Sequence, residues 1–180
     1  MLINAKTSCF MLIDVQEKLT EHVVEHEKLL THITWLLSLA NELGEPVIVT
    51  EQYPKGLLST VAELKPYIEH APIFDKVYFS SARDEKVHQY LKSQSYQQII
   101  LFGIEAHVCI LQTALDLKQL GYQVFVVADA ISARDPMAIT LAIERMSQAG
   151  VIIVNTEMVF FELLEKAGTE QFKKLSKQFL

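Results

Sequence analysis

Cysteine is scarce. The chain holds two, Cys9 and Cys109, which allow at most one internal disulfide and exclude a disulfide-framed scaffold. Basic residues are outnumbered, 16 against 22 acidic, for a formal net charge of −6. That balance argues against a phosphate-binding surface and therefore against nucleic acid as a partner. No stretch approaches the roughly 18 uncharged apolar residues of a membrane span. The apolar run near the N-terminus, Cys9 to Ile13, is broken by Asp14 and is too short for a signal-peptide core. Neither G-x-G-x-x-G nor G-x-x-x-x-G-K occurs, so a nucleotide cofactor finds no phosphate loop. Internal repeats and low-complexity segments are absent too. The expectation is a cytoplasmic protein without a membrane partner, both thiols reduced.

What is present is a foldable core. Half of the 180 residues are hydrophobic and 21% are charged, a globular composition rather than a disordered one. A chain of this length buries about 70% of its unfolded surface and fits a single domain over 1–180. Strand-length apolar runs occur at Ser8–Val15, Pro46–Glu51, Val77–Ser80 (the weakest), Gln98–Ile104, Gln123–Ala128 and Val151–Asn155. They are nearly continuous in Val, Ile, Leu and Phe instead of alternating, as strands buried on both faces are. Helix-period segments separate them. Leu29, Ile33, Leu36, Leu37, Ala40 and Leu43 recur at three and four before Gly44; Val108, Leu111, Leu115 and Leu120 do so before Gly121. Asp135-Pro136 reads as an N-cap and first helical residue. Two further helices are expected over Glu157–Lys166 and Glu170–Phe179, the latter with Lys173, Lys174 and Lys177 on a solvated face. This order predicts an α/β fold: three layers, α/β/α, around a mostly parallel sheet of about six strands. Tyr53 to Asp75 holds three of the five prolines and reads as a long, functional loop.

In open parallel sheets ligands bind beyond the carboxyl ends of the strands. The polar residues there are Asp14 and Gln16; Thr50, Glu51 and Gln52; Glu105, His107 and Cys109; and Asp129, Ser132 and Arg134, while Asp75, Lys76 and Ser80 lie near the third run. Cys109 lies about one turn into a helix, where the dipole favours a thiolate, and Asp14 and Lys76 stand where both could converge on it. Cys9, inside its strand, reads as core. Arg134 has Asp129 or a glutamate as an ion-pair partner. Trp35 reads as core or subunit interface. His22-Val23-Val24-Glu25-His26 spells H-x-x-E-H, a zinc-chelating pattern on a helix. No third ligand is identifiable, and the segment reads better as solvated histidines.

The segment GIEAHVC, Gly103 to Cys109, resembles the cysteine motif of the isochorismatase-like hydrolase superfamily, which includes nicotinamidases. FMLIDVQ (Phe10–Gln16) is similar to its aspartate motif and FDKVYFSS (Phe74–Ser81) to its lysine motif. VVADAISAR (Val126–Arg134) and VNTEMVFFEL (Val154–Leu163) also match, so the likeness runs from about residue 7 to 165. With VTEQYPKGL (Val49–Leu57), the chain looks nearest to the isochorismatase domain-containing subgroup.

The resemblance implies a Rossmann-like fold and a triad of Asp14, Lys76 and Cys109. Cys109 would be the nucleophile, Asp14 the base, and Lys76 the group that lowers the thiol pKa and keeps Asp14 ionised. It implies a cis peptide at Ile104–Glu105 and an oxyanion hole from the N–H groups of Glu105 and Cys109, with Gly103 relieving the kink. Gln16, Gln52, Tyr53 and His107 are then candidate substrate contacts. Thr50-Glu51-Gln52-Tyr53 lacks the histidine of the nicotinamidase metal site, so neither a metal nor nicotinamide is expected, and no cofactor. The cysteine points away from vinyl-ether hydrolysis, and the chain ends before a carrier domain could follow. The implied activity is hydrolysis of a C–N, amide-like bond in a small molecule, by a homo-oligomer (dimer or larger). The contrary reading is a binding or scaffold protein with little or no catalysis.

Overall fold

The computed structural model describes all residues from Met1 to Leu180. In chain order the elements are β1 (Ser8–Ile13), α1 (Glu17–Thr20), α2 (His26–Leu43), β2 (Val47–Gln52), α3 (Pro54–Leu57), β3 (Ile73–Lys76), α4 (Glu85–Ser93), β4 (Gln98–Ile104), α5 (Leu111–Gln119), β5 (Gln123–Ser132), α6 (Pro136–Gln148), β6 (Ile152–Val154), α7 (Thr156–Leu164) and α8 (Glu170–Phe179). Short 3₁₀ turns cover Ala62–Tyr67 and Ser81–Arg83, and a π-helical turn, Ala106–Ile110, leads into α5.

All six strands are parallel, in the order β3-β2-β1-β4-β5-β6. The order reverses direction between β1 and β4, which opens a crevice beyond their carboxyl ends. β1 is buried along its whole length, because its side chains feed two cores. Phe10 and Leu12 pack with Ile33, Leu36 and Leu37 of α2 and Phe160 of α7. Cys9, Met11 and Ile13 face the other way, toward Val87, Leu91, Leu117 and Met146 of α4, α5 and α6. The result is the expected three layers. No helix is long and apolar enough to cross a membrane.

The third strand differs from the sequence reading. It is Ile73–Lys76, and the apolar Val77, Tyr78 and Phe79 that suggested a strand are 69%, 54% and 53% exposed. β3 is an edge strand with a mostly exposed pattern, so continuous hydrophobicity was no guide to it. The segment between Tyr53 and Asp75 is built from α3 and a 3₁₀ turn rather than being one loop. β5 runs four residues further than its apolar run, to Ser132, with a shift in register against β4 between Leu101 and Gly103. That irregularity presents Asp129, which accepts the N–H and the hydroxyl of Thr156 (3.0 and 2.9 Å) and so fastens the start of α7. Asp135 caps α6 by accepting the Met137 N–H, with Pro136 in its first turn.

The H-x-x-E-H segment does not form one helical face. His22 lies in a turn, Glu25 takes a left-handed conformation (φ 51°) and α2 begins at His26. Trp35 is half-buried. Its Nε1 donates to the Phe179 carbonyl at 3.1 Å, which ties α8 onto α2. Lys173 and Lys174 pair with Glu170 and Glu42 at the surface.

Candidate active site

Four strand ends build the site. β1 ends at Ile13, and Asp14 follows in a left-handed conformation, φ 54°. Aspartate tolerates that region better than most residues, and strained backbone of this kind gathers at functional sites. The turn aims the carboxylate sideways across the sheet. Register then sets its partners: Ile13 pairs with Thr50 and Gln52 with Lys76. Thr50 Oγ1 donates to Asp14 Oδ1 at 2.7 Å, and Lys76 Nζ donates to Oδ2 at 2.6 Å. Both side chains of the ion pair are 0% exposed.

A buried pair of this kind is tolerable only when the remaining protons and lone pairs are used. They are. Lys76 Nζ also donates to Gln52 Oε1 (2.6 Å) and to the carbonyls of Tyr78 and Phe79 (3.2 Å each). Gln52 in turn donates from Nε2 to the Val77 carbonyl at 2.9 Å. The exposed Val77–Phe79 segment is thus moored from beneath by its own backbone.

Cys109 sits in the π-helical turn after β4, 6% exposed. The peptide Ile104–Glu105 is cis. Gly103 is forced by close approach: a Cβ there would lie 2.2 Å from the Ile13 carbonyl oxygen, and φ is +122°. The glycine lets β4 close against β1, bringing Cys109 to Asp14. The thiol pKa is pushed up to about 12. Burial is the largest cause, followed by the Asp14 charge; the Lys76 charge opposes them and is outweighed. Cys9, 0% exposed, has its thiol pKa raised too, by burial and then by Glu45.

The other candidate residues fall into distinct places. The Gln16 amide is fully engaged: Nε2 donates to the carbonyls of Gln52 (2.9 Å) and Leu58 (2.7 Å), and Oε1 accepts the Gln52 N–H (2.7 Å). Glu51 accepts both the N–H and the hydroxyl of Thr60 (2.7 and 2.8 Å), pinning the loop before the first 3₁₀ turn. Tyr53 is exposed, its ring lying where a Cβ on Gly56 would be (2.5 Å). His107 is half-buried beside Cys109, and its Nδ1 has no hydrogen-bond partner. Arg134 pairs with Glu105, not Asp129. Sequence reasoning missed Thr113, whose hydroxyl accepts the Ser81 N–H at 2.9 Å and ties the segment after Lys76 to α5. Its spacing of one helical turn from Cys109 was the available signal.

No group of three or more His, Cys, Asp and Glu side chains is placed to hold a metal ion. The larger cavities open elsewhere. One of about 490 Å³ lies at the amino ends of β2 and β3, lined by Glu45, Tyr67, His70 and Tyr90 among others.

A six-stranded parallel sheet between two helical layers, with its switch point between β1 and β4, places the chain among the doubly wound α/β folds. Within that class the chain belongs to the isochorismatase family, whose domain matches residues 8–158. It is 33% identical over 177 residues to isochorismatase family protein 1A of Dictyostelium discoideum, covering 96% of this chain and 86% of that protein. It is 38% identical over 176 residues to the secreted isochorismatase effector Isc1 of Phytophthora sojae, covering 95% and 83%. Among solved structures, the MAR1 ribonuclease of Caenorhabditis elegans superposes with a TM-score of 0.91 at 39% identity, covering 98% of this chain and 91% of that one.

Proposed function

We propose that the protein is a cysteine hydrolase that cleaves an amide-like C–N bond in a small molecule, with Cys109 as nucleophile, Asp14 as base and Lys76 as the cation that orients and balances Asp14. One observation carries this reading. Asp14 is locked between Thr50 and Lys76, and the strand ends bring it close enough to Cys109 for both charges to act on the thiol. That sets a nucleophile, a base and an orienting group side by side.

A thiol pKa raised by burial and by Asp14 supports transfer of the Cys109 proton to Asp14 as the S–C bond forms. The oxygen of the tetrahedral intermediate takes up negative charge and is met by the N–H groups of Glu105 and Cys109. Asp14 returns the proton to the leaving nitrogen as the C–N bond breaks, leaving a thioester. Water then attacks, giving its proton to Asp14, which passes it to the departing sulfur. No cofactor enters. Since Gln16 and Gln52 have their amides engaged, substrate recognition falls to Tyr53, His107 and the Val77–Phe79 segment. The exposed apolar residues of that segment also support assembly of a homo-oligomer.

The contrary reading, a binding or scaffold protein, is favoured by the same nearly buried thiol, whose pKa is raised. A screen of amides, ureides and nitrile-derived compounds on the purified protein separates the two. The expected result is turnover with an acyl adduct on Cys109, both lost in Cys109→Ala. Turnover that persists in the variant overturns the mechanism, and no turnover or adduct with any compound favours the scaffold. RNA belongs in the screen because of the description carried by the C. elegans relative, although the net charge of −6 speaks for small molecules.

A further inference from the structure

An ion pair beside the reacting groups has no part in these steps. Arg134 follows β5 by two residues. Its Nε donates to Glu105 Oε2 at 3.0 Å, and its backbone N–H donates to the same oxygen at 3.4 Å. The arginine side chain is 66% exposed and the glutamate 13%. Glu105 also opens the turn that carries Cys109. Its carbonyl accepts the N–H groups of Val108 and Ile110 (3.1 and 3.2 Å), which closes the π-helical turn. The turn that holds Cys109 is therefore closed on a residue whose carboxylate opposes negative charge nearby.

Asp14 and Lys76 face the sulfur from β1 and β3 and balance each other. The Glu105 carboxylate is balanced by Arg134. We propose that Arg134 is a positioning residue for the reaction at Cys109: it neutralises the Glu105 carboxylate at the head of the turn that carries the sulfur. Exposed Arg–Glu pairs contribute little to stability, so this pair acts on the thiolate rather than on folding. The consequence for turnover rests on the hydrolase reading above, whereas the consequence for the thiol does not.

The test therefore uses the thiol. The rate of alkylation by iodoacetamide, an uncharged reagent, is followed at fixed pH, with the label located on Cys109 by mass spectrometry and Cys109→Ala as blank. Loss of one neutralising charge shifts a nearby thiol by about one pKa unit, or tenfold in thiolate. Arg134→Gln is expected to react about tenfold more slowly, with an unchanged melting temperature, and Arg134→Lys to recover most of the rate. Arg134→Gln with Glu105→Gln leaves no bare carboxylate and should return to within about threefold of the parent. Wild-type rates in Arg134→Gln, or a double variant as slow as the single, overturn the proposal. Arg134→Lys, which keeps the charge, and circular dichroism of each variant guard against a loss of rate by misfolding. If the substrate screen yields nothing, the hydrolase reading fails while these rates still decide the role of Arg134. With a substrate in hand, Arg134→Gln should lower kcat and leave KM in place.

Discussion

Asp14 has two effects on Cys109 that point in opposite directions. Its charge holds the proton on sulfur, yet it is the group proposed to accept that proton. Asp14→Asn separates the two. The thiolate becomes easier to form, so alkylation of Cys109 should speed up by more than about tenfold, while amide turnover should disappear. The fold must bear an unpaired Lys76, which costs about 3–5 kcal/mol for a broken buried pair, so circular dichroism belongs in the same experiment. Slower alkylation would mean that Asp14 does not govern the thiol. Asp14 and Cys109 were legible as single residues because each follows an apolar run, and Lys76 because it falls, like them, in a recognisable motif. The roles of Gln52 and Gln16 were not. Which amide meets an ammonium and which meets backbone depends on register between β1, β2 and β3, and no local spacing encodes it.

At the scale of elements, the approach of β4 to β1 decides whether a site exists. Gly103→Ala would place a methyl group against the Ile13 carbonyl and force an alanine into a positive φ. Strain and overpacking each cost about 1–3 kcal/mol, so a loss of about 3 kcal/mol in urea unfolding is expected, together with slower reaction of Cys109. Unchanged stability would show that the strands can part without harm. The helices α2, α6 and α8 were read closely from periodicity, the Asp135-Pro136 cap and the last amphipathic stretch. β3 was misplaced because exposed Val77–Phe79 looks buried by composition. Continuation of β5 past Ala128 was missed for the converse reason: Asp129 and Ser132 look like loop. That same stretch decides whether Arg134 can reach Glu105.

For the whole molecule, the end of the sheet opposite the site sets a pH dependence. Glu45, half-buried ahead of β2, has its pKa raised from 4.5 to about 7 by burial, opposed by a hydrogen bond from Ser8. Between those values the folded protein binds more protons than the unfolded chain. Stability from this group therefore falls as pH rises from about 4.5 to about 7, and is level above. Melting temperatures of the parent and Glu45→Gln should diverge across that window in favour of the variant; parallel curves would remove Glu45 as the cause. The six-strand, three-layer architecture was legible at this scale, because runs buried on both faces leave few other arrangements.

The Asp14–Lys76 contact joins residues 62 apart in sequence, and Thr50 and Cys109 arrive from two further strands. No fragment of the chain contains the assembled site, so chemistry at Cys109 is a property of the closed sheet and is lost with it. The single tryptophan, Trp35, lies in the opposite helical layer, packed on Phe160 and Phe179. The protein thus carries two built-in reporters, a thiol for the sheet and an indole for the α2/α8 layer, and whether they fade together tells whether the layers come apart as one.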